Sequence, residues 1–195
     1  DGVIFDSNNL KIDAFRDALN EFDVVIVDAF IKYFKNNFGT SRYHLLRVFI
    51  EVFLKQDFDE KVYRDMLARY GQNCVILYDK SELTKYLLKF LNKYSDKNIF
   101  VASGSDQEEL RVVFKNRNLD KYFVGIFGSP TKKSELVKNI VSKNKNTVMI
   151  GDAKSDMLSA QNNKIDFIFM SEYSTNSDMK KDSSLNSIRN LGDLT

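Results

Sequence analysis

Past residue 98 the chain alternates short apolar runs with helical patterns, and this alternation restricts the possible folds more than any other feature. Runs near 99–102, 122–127, 147–150 and 166–170 read as strands, and the stretches near 106–117, 132–143 and 154–162 read as helices. Strand–helix–strand alternation selects a parallel sheet joined by right-handed crossovers. Runs such as Val148-Met149-Ile150 are apolar without a break, as strands covered on both faces are. In open parallel sheets, ligands gather beyond the carboxyl ends of the strands. The polar residues just after each run are therefore the ones to read for function. Residues 171–185 read as a polar loop, and 187–191 as a short closing helix.

The region before this alternation has helical periodicity. Apolar stripes at Phe15, Ala18, Leu19 and Phe22, then Val25, Phe30, Ile31 and Phe34, predict two helices. Leu45, Val48, Phe49, Val52 and Phe53 predict a third, and Val62, Met66, Leu67 and Tyr70 a fourth. Gly39 and Gly71 stand where helices should end. A further helix carrying Leu83, Leu87, Phe90 and Leu91 leads into the first full strand. The expected architecture is α/β: a Rossmann-like parallel-sheet core formed by residues 1–7 and 76–195, with a helical bundle over residues 8–75 inserted as a cap.

Charge excludes some partners. The 29 basic and 27 acidic residues leave a net charge of +2, which gives no basis for a nucleic-acid or membrane-surface partner. No run reaches the roughly 18–20 apolar residues of a membrane span. Cys74 is the single cysteine and His44 the single histidine, so neither an internal disulfide nor a zinc cluster is available. A reducing cytoplasm is the expected compartment, and the sequence is silent on oligomeric state.

Four blocks carry chemistry. Asp1-Gly2-Val3-Ile4-Phe5-Asp6-Ser7 opens the chain. Asn98-Ile99-Phe100-Val101-Ala102-Ser103-Gly104-Ser105 ends a strand on a hydroxyl and backbone amides near a helix start, a natural phosphate cradle. A plain Ser N-cap is the alternative reading of that block alone. Gly128-Ser129-Pro130-Thr131-Lys132-Lys133 places two lysines after the next strand. Thr147-Val148-Met149-Ile150-Gly151-Asp152-Ala153-Lys154-Ser155-Asp156 sets two carboxylates four apart, at a strand end and a helix start, where both can face one pocket. Such an oxygen-rich pair suits magnesium.

In order and spacing these blocks resemble the four motifs of the haloacid dehalogenase superfamily, phosphoglycolate-phosphatase-like with a helical cap, over nearly all of the chain. The resemblance implies a magnesium-dependent phosphatase acting on a small phosphorylated metabolite, a sugar phosphate or a phosphoglycolate-like ester, through an aspartyl-phosphate intermediate. Asp1 matches the second Asp of the family's Asp-x-Asp. It would supply the general acid/base with its side chain and a metal ligand with its backbone carbonyl. The nucleophile, two residues earlier, and most of its strand would lie before residue 1. Ser103, Gly104 and Ser105 would bind the phosphoryl group, with Ser103 counted among the catalytic residues. Lys133, favoured over Lys132 by the Gly-Ser-Pro-x-x-Lys spacing, would neutralise phosphoryl charge. Asp152 would bind Mg2+ directly, with Asp156 supporting that shell.

In the cap, the Gly39-Thr40-Ser41-Arg42 block resembles the Gly-x-Ser-Arg stretch of phosphoglycolate-phosphatase-like caps. It would bring Arg42, at a helix start, to the leaving group, although an exposed structural Arg fits the same pattern. Asp6 would serve the turn into the cap, while His44 and Cys74 read as structural. A phosphomutase uses the same two aspartates and cap. A catalytically inactive protein that binds phosphometabolites is the reading if the chain truly starts at Asp1.

Overall fold

The computed structural model describes residues 1–195. The chain starts in a two-residue strand, β1 (Phe5–Asp6), and at once enters four helices: α1 (Asn8–Ala18), α2 (Val24–Asn36), α3 (Arg42–Val48) and α4 (Glu60–Lys80). Helix α3 continues into a π-helical turn over Phe49–Phe53. Ser41 caps α3, and Asp23 and Asp59 cap α2 and α4 by accepting from first-turn amides. The bundle closes on aromatic packing. Phe15 stacks on Tyr70 at 3.8 Å between centroids and meets Phe30 and Phe34 edge-on.

Helix α4 runs unbroken through Gly71, where the sequence pattern suggested an end. A Cβ at Gly71 would stand 3.2 Å from both Arg42 Nη1 and Glu109 Oε1. The residue makes room for a neighbouring ion pair and does not stop the helix. The last helix of the bundle thus runs on to Lys80, past residue 75.

The chain leaves the bundle through β2 (Glu82–Leu83), which pairs antiparallel with β1 at Phe5↔Leu83 and Asp6↔Glu82. The two crossings between bundle and sheet therefore lie side by side, and Asp6 stands in this hinge. Arg117, from the sheet side, donates to the carbonyls of Tyr78 and Ser81 at 2.8 and 3.0 Å and pins it.

The remainder alternates as the sequence predicts: α5 (Leu87–Lys93), β3 (Phe100–Asp106), α6 (Gln107–Asn116), β4 (Gly125–Ser129), α7 (Lys133–Val141), β5 (Val148–Gly151), α8 (Lys154–Asn162) and β6 (Asp166–Met170). A short helix, α9 (Ser177–Lys181), interrupts the segment read as loop. Residues 187–191 do not form the expected helix. Ser187–Ile188 is a strand, β7, parallel to β6, and a 3-10 turn follows over Leu191–Leu194. Leu83 likewise lies in β2 and not in α5.

The parallel pairings are β3 with β4 and β5 with β6 and β7. They do not join into one sheet, because β3 and β5 share no hydrogen bond. Both strands line a single cavity of about 880 Å³, with Ile99, Val101, Val148 and Ile150 among its walls. The cavity extends from Lys97 and Lys143, at the strands' amino ends, to Ser103 and Asp152 at their carboxyl ends. No helix is long and apolar enough to cross a membrane.

Candidate active site

The carboxyl edge of the strands gathers the polar residues the sequence singled out. Asp1 is held by four donors. Ser7 Oγ (2.5 Å) and Tyr78 OH (2.8 Å) reach Oδ1, and Lys11 Nζ (2.7 Å) and Ser105 Oγ (3.1 Å) reach Oδ2. Lys11 also donates to Ser105 Oγ, and its Nζ lies over the Tyr78 ring. Every partner of this carboxylate is placed as a donor. Burial pushes the Tyr78 hydroxyl well up, which keeps it protonated as a donor.

Gly2 brings the backbone against the second acidic centre. Its φ is +70°, and a Cβ there would lie 2.1 Å from Asp152 Oδ2. Only glycine permits that approach. Asp152 ends β5 and is buried, with Oδ2 accepting from Asn8 Nδ2 at 2.7 Å. It does not cap α8. Asp156 closes that end instead, with Oδ2 accepting the Ala153 amide at 3.1 Å. Lys133, at the first position of α7, reaches Asp156 Oδ1 at 2.6 Å and stands 3.4 Å from Ser155 Oγ. Both oxygens of Asp156 are thus occupied by protein groups. Burial, and then the Asp156 carboxylate, push Asp152 up to about 6, against the pull of the Asp1 ammonium first, then the Asn8 amide and Lys133.

These residues meet the demands of a hard cation only through a mixed donor set. No group of three Asp, Glu, His or Cys side chains is placed to hold a metal. However, Asp152 is a buried carboxylate with an unfavourable charge. Beside it, Asn8 Oδ1 is buried without any partner, and an orphaned buried oxygen of that kind is costly. A divalent ion with its waters would offset both costs, so the donor chemistry fits magnesium.

The cradle differs in detail from the sequence reading. Ser103 Oγ accepts the Ser105 amide at 3.1 Å and makes no contact with Asp1, whereas Ser105 does. The first amides of α6 are already taken by the Asp106 side chain, through Glu108 and Glu109. Ser103, Gly104 and Ser105 all line the cavity. Arg42 lines it too, but its guanidinium is engaged by Glu109 at 2.9 and 2.5 Å and packs 4.9 Å from the Tyr70 ring centroid. Next to it, Tyr43 OH donates to Asp106 at 2.8 Å. Burial and this bond push the phenol up to about 12. These contacts, with Ser155 Oγ donating to Phe38 O at 2.9 Å, fasten the cap onto the core. His44 is exposed and Cys74 is buried.

Sequence reasoning missed Asn8, Lys11 and Tyr78. A signal was present for each. The buried face of α1 repeats at Asn8, Lys11, Ile12, Phe15 and Ala18, so a lysine and an asparagine lie on an otherwise apolar stripe. The α4 stripe Met66, Tyr70, Cys74 continues by one more turn to Tyr78.

A family model described as haloacid dehalogenase-like hydrolase matches residues 1–170. Solved structures share the fold over almost the whole chain. A predicted phosphatase from Clostridium acetobutylicum is 17% identical with a TM-score of 0.74, covering 98% of this chain and 91% of its own. A predicted phosphoglycolate phosphatase from Haemophilus somnus is 12% identical with a TM-score of 0.77, covering 100% and 92%. The HAD-hydrolase YfnB from Bacillus subtilis, described as bound to magnesium, is 15% identical with a TM-score of 0.68, covering 100% and 93%. No curated protein matches the chain in sequence.

Proposed function

This chain belongs to the haloacid dehalogenase-like hydrolase family, and on that premise we propose that it is a magnesium-dependent phosphatase of a small phosphorylated metabolite. The observation that supports this best is the meeting, at one carboxyl edge, of Asp1, Lys133, Asp152 and Asp156 from three separate stretches of sequence. Magnesium, held by Asp152 with the Asp1 carbonyl, would neutralise charge on the phosphoryl oxygens. Asp156 would keep Lys133 fixed beside that charge. Ser103 would donate its hydroxyl proton to a phosphoryl oxygen.

By the family resemblance, a carboxylate two residues before Asp1 attacks phosphorus and forms an aspartyl phosphate. Asp1 protonates the departing oxygen, then takes a proton from the water that hydrolyses the intermediate. The acid step needs Lys11 to release Oδ2, which it holds at 2.7 Å.

The full-length protein should release phosphate from p-nitrophenyl phosphate and from a panel of phosphometabolites, and should need magnesium to do so. Isomerisation of a sugar phosphate without net phosphate loss would select a mutase instead. Ester binding with neither outcome would select an inactive binding protein.

A further inference from the structure

The proposal below rests on the phosphatase reading and concerns what the cap accepts. Three cations stand at the carboxyl-edge end of the cavity, and each is already neutralised. Lys11 pairs with Asp1 at 2.7 Å, Lys133 with Asp156 at 2.6 Å, and Arg42 with Glu109 at 2.5 Å. The other lysines lining the cavity, such as Lys97 and Lys143, lie at the amino ends of the strands. At about 3.3 Å per residue that is the far end of the groove.

Lys11 and Lys133 sit among the carboxylates of the reacting centre. Arg42 alone of the three stands apart from those carboxylates, at the start of α3 and against the Tyr70 ring. Its fork-shaped guanidinium is matched by both oxygens of Glu109, the geometry in which arginine binds a carboxylate best. Gly71 in α4 leaves the space for that pair, since any side chain there would press on Arg42 and Glu109 together. The remaining cap contribution to the cavity wall is largely apolar: Phe34, Phe38, Leu45 and Tyr70.

We propose that the cap selects phosphate monoesters whose leaving group is uncharged, because Glu109 occupies the one cap cation that a second anionic group could use. A carboxylate or second phosphate on the leaving group would have to displace the half-buried Glu109 carboxylate from the buried Arg42 guanidinium or lie unpaired against aromatic rings. Both are costly. Glu109 is then a specificity-determining residue that acts by repulsion as well as by pairing.

The test uses a matched pair of esters, 2-hydroxyethyl phosphate and 2-phosphoglycolate, which differ only in a hydroxymethyl against a carboxylate. With full-length protein and magnesium, kcat/KM should favour the neutral ester by about tenfold or more, the scale on which an unpaired buried polar group discriminates. Equal or faster hydrolysis of 2-phosphoglycolate would overturn the proposal. In Glu109→Gln the ratio should move toward 2-phosphoglycolate by a similar factor, and an unmoved ratio in a folded variant would also overturn it. If that variant does not fold, the wild-type pair still decides. p-Nitrophenyl phosphate in the same assay separates the two levels. Release from it with a preference for the anionic ester defeats this inference alone. No release from any ester defeats the phosphatase reading, and this inference with it.

Discussion

Replacing Asp152 by Asn should stabilise the metal-free chain at neutral pH while removing its response to magnesium. Asp152 is held at about 6 against an ordinary 3.8, by burial first and the Asp156 carboxylate second. At about 1.36 kcal/mol per unit, that shift corresponds to roughly 3 kcal/mol of cost for the ionised form. The sign follows from linkage. The folded chain binds this proton more tightly than the unfolded chain, so stability falls as pH rises from about 4 to about 6, and the whole cost is carried above 6. Asparagine carries no charge, and its amide oxygen can still accept from Asn8. At 2–4 °C per kcal/mol for a chain of this size, Asp152→Asn should raise the melting temperature by up to about 6–12 °C at pH 7.5 with chelator. Most of that gap should close by pH 4.5. Magnesium at pH 7.5 should raise the melting temperature of the wild type and leave the variant unmoved. Thermal unfolding followed by circular dichroism reads all three. A variant less stable than wild type at pH 7.5, or a gap that does not change with pH, would refute the reasoning.

Three further outcomes are expected. Lys133→Met leaves Asp156 buried without its cation and should cost about 3–5 kcal/mol in urea unfolding, as broken buried pairs do; a loss under 1 kcal/mol would show that the pair is solvated. Asp1→Asn in the full-length protein leaves buried Lys11 without its carboxylate and so also costs stability, but in the folded variant kcat should fall by about 100- to 10,000-fold, and an unchanged rate would remove Asp1 from the acid/base role. Phe15→Ala should cost about 3–5 kcal/mol, because this fully buried ring contacts Phe30, Phe34 and Tyr70; a small effect would mean that the bundle repacks around the gap.

What the sequence revealed follows the length and regularity of its patterns. Helix α8 and strand β6 lie where the apolar pattern puts them, because each spans a full period and ends on a marked turn. Strand β7 has only two residues, too few for any period to show, so its apolar spacing alone suggests a helix. Gly71 was read as a helix end on propensity alone, but a long helix absorbs one glycine when tertiary packing demands the space. The site residues fixed by motif spacing, Asp1, Lys133, Asp152 and Asp156, come together in the folded chain. Those fixed by helix phase do not announce themselves. Lys11 and Asn8 look like surface residues until the α1 stripe is extended back to the helix start. The pairing of Arg42 with Glu109 joins residues 67 apart and depends on how the cap sits on α6, which no local pattern encodes.

The proposed carboxyl-edge cluster would hydrolyse phosphate esters with magnesium held on Asp152. The most direct measurement is the initial rate of phosphate release by the full-length protein across a magnesium titration, with Asp152→Asn run alongside. The rate should rise saturably with magnesium in the wild type and stay near background in the variant. Metal-independent release, or a variant that reaches the wild-type rate at high magnesium, would contradict it.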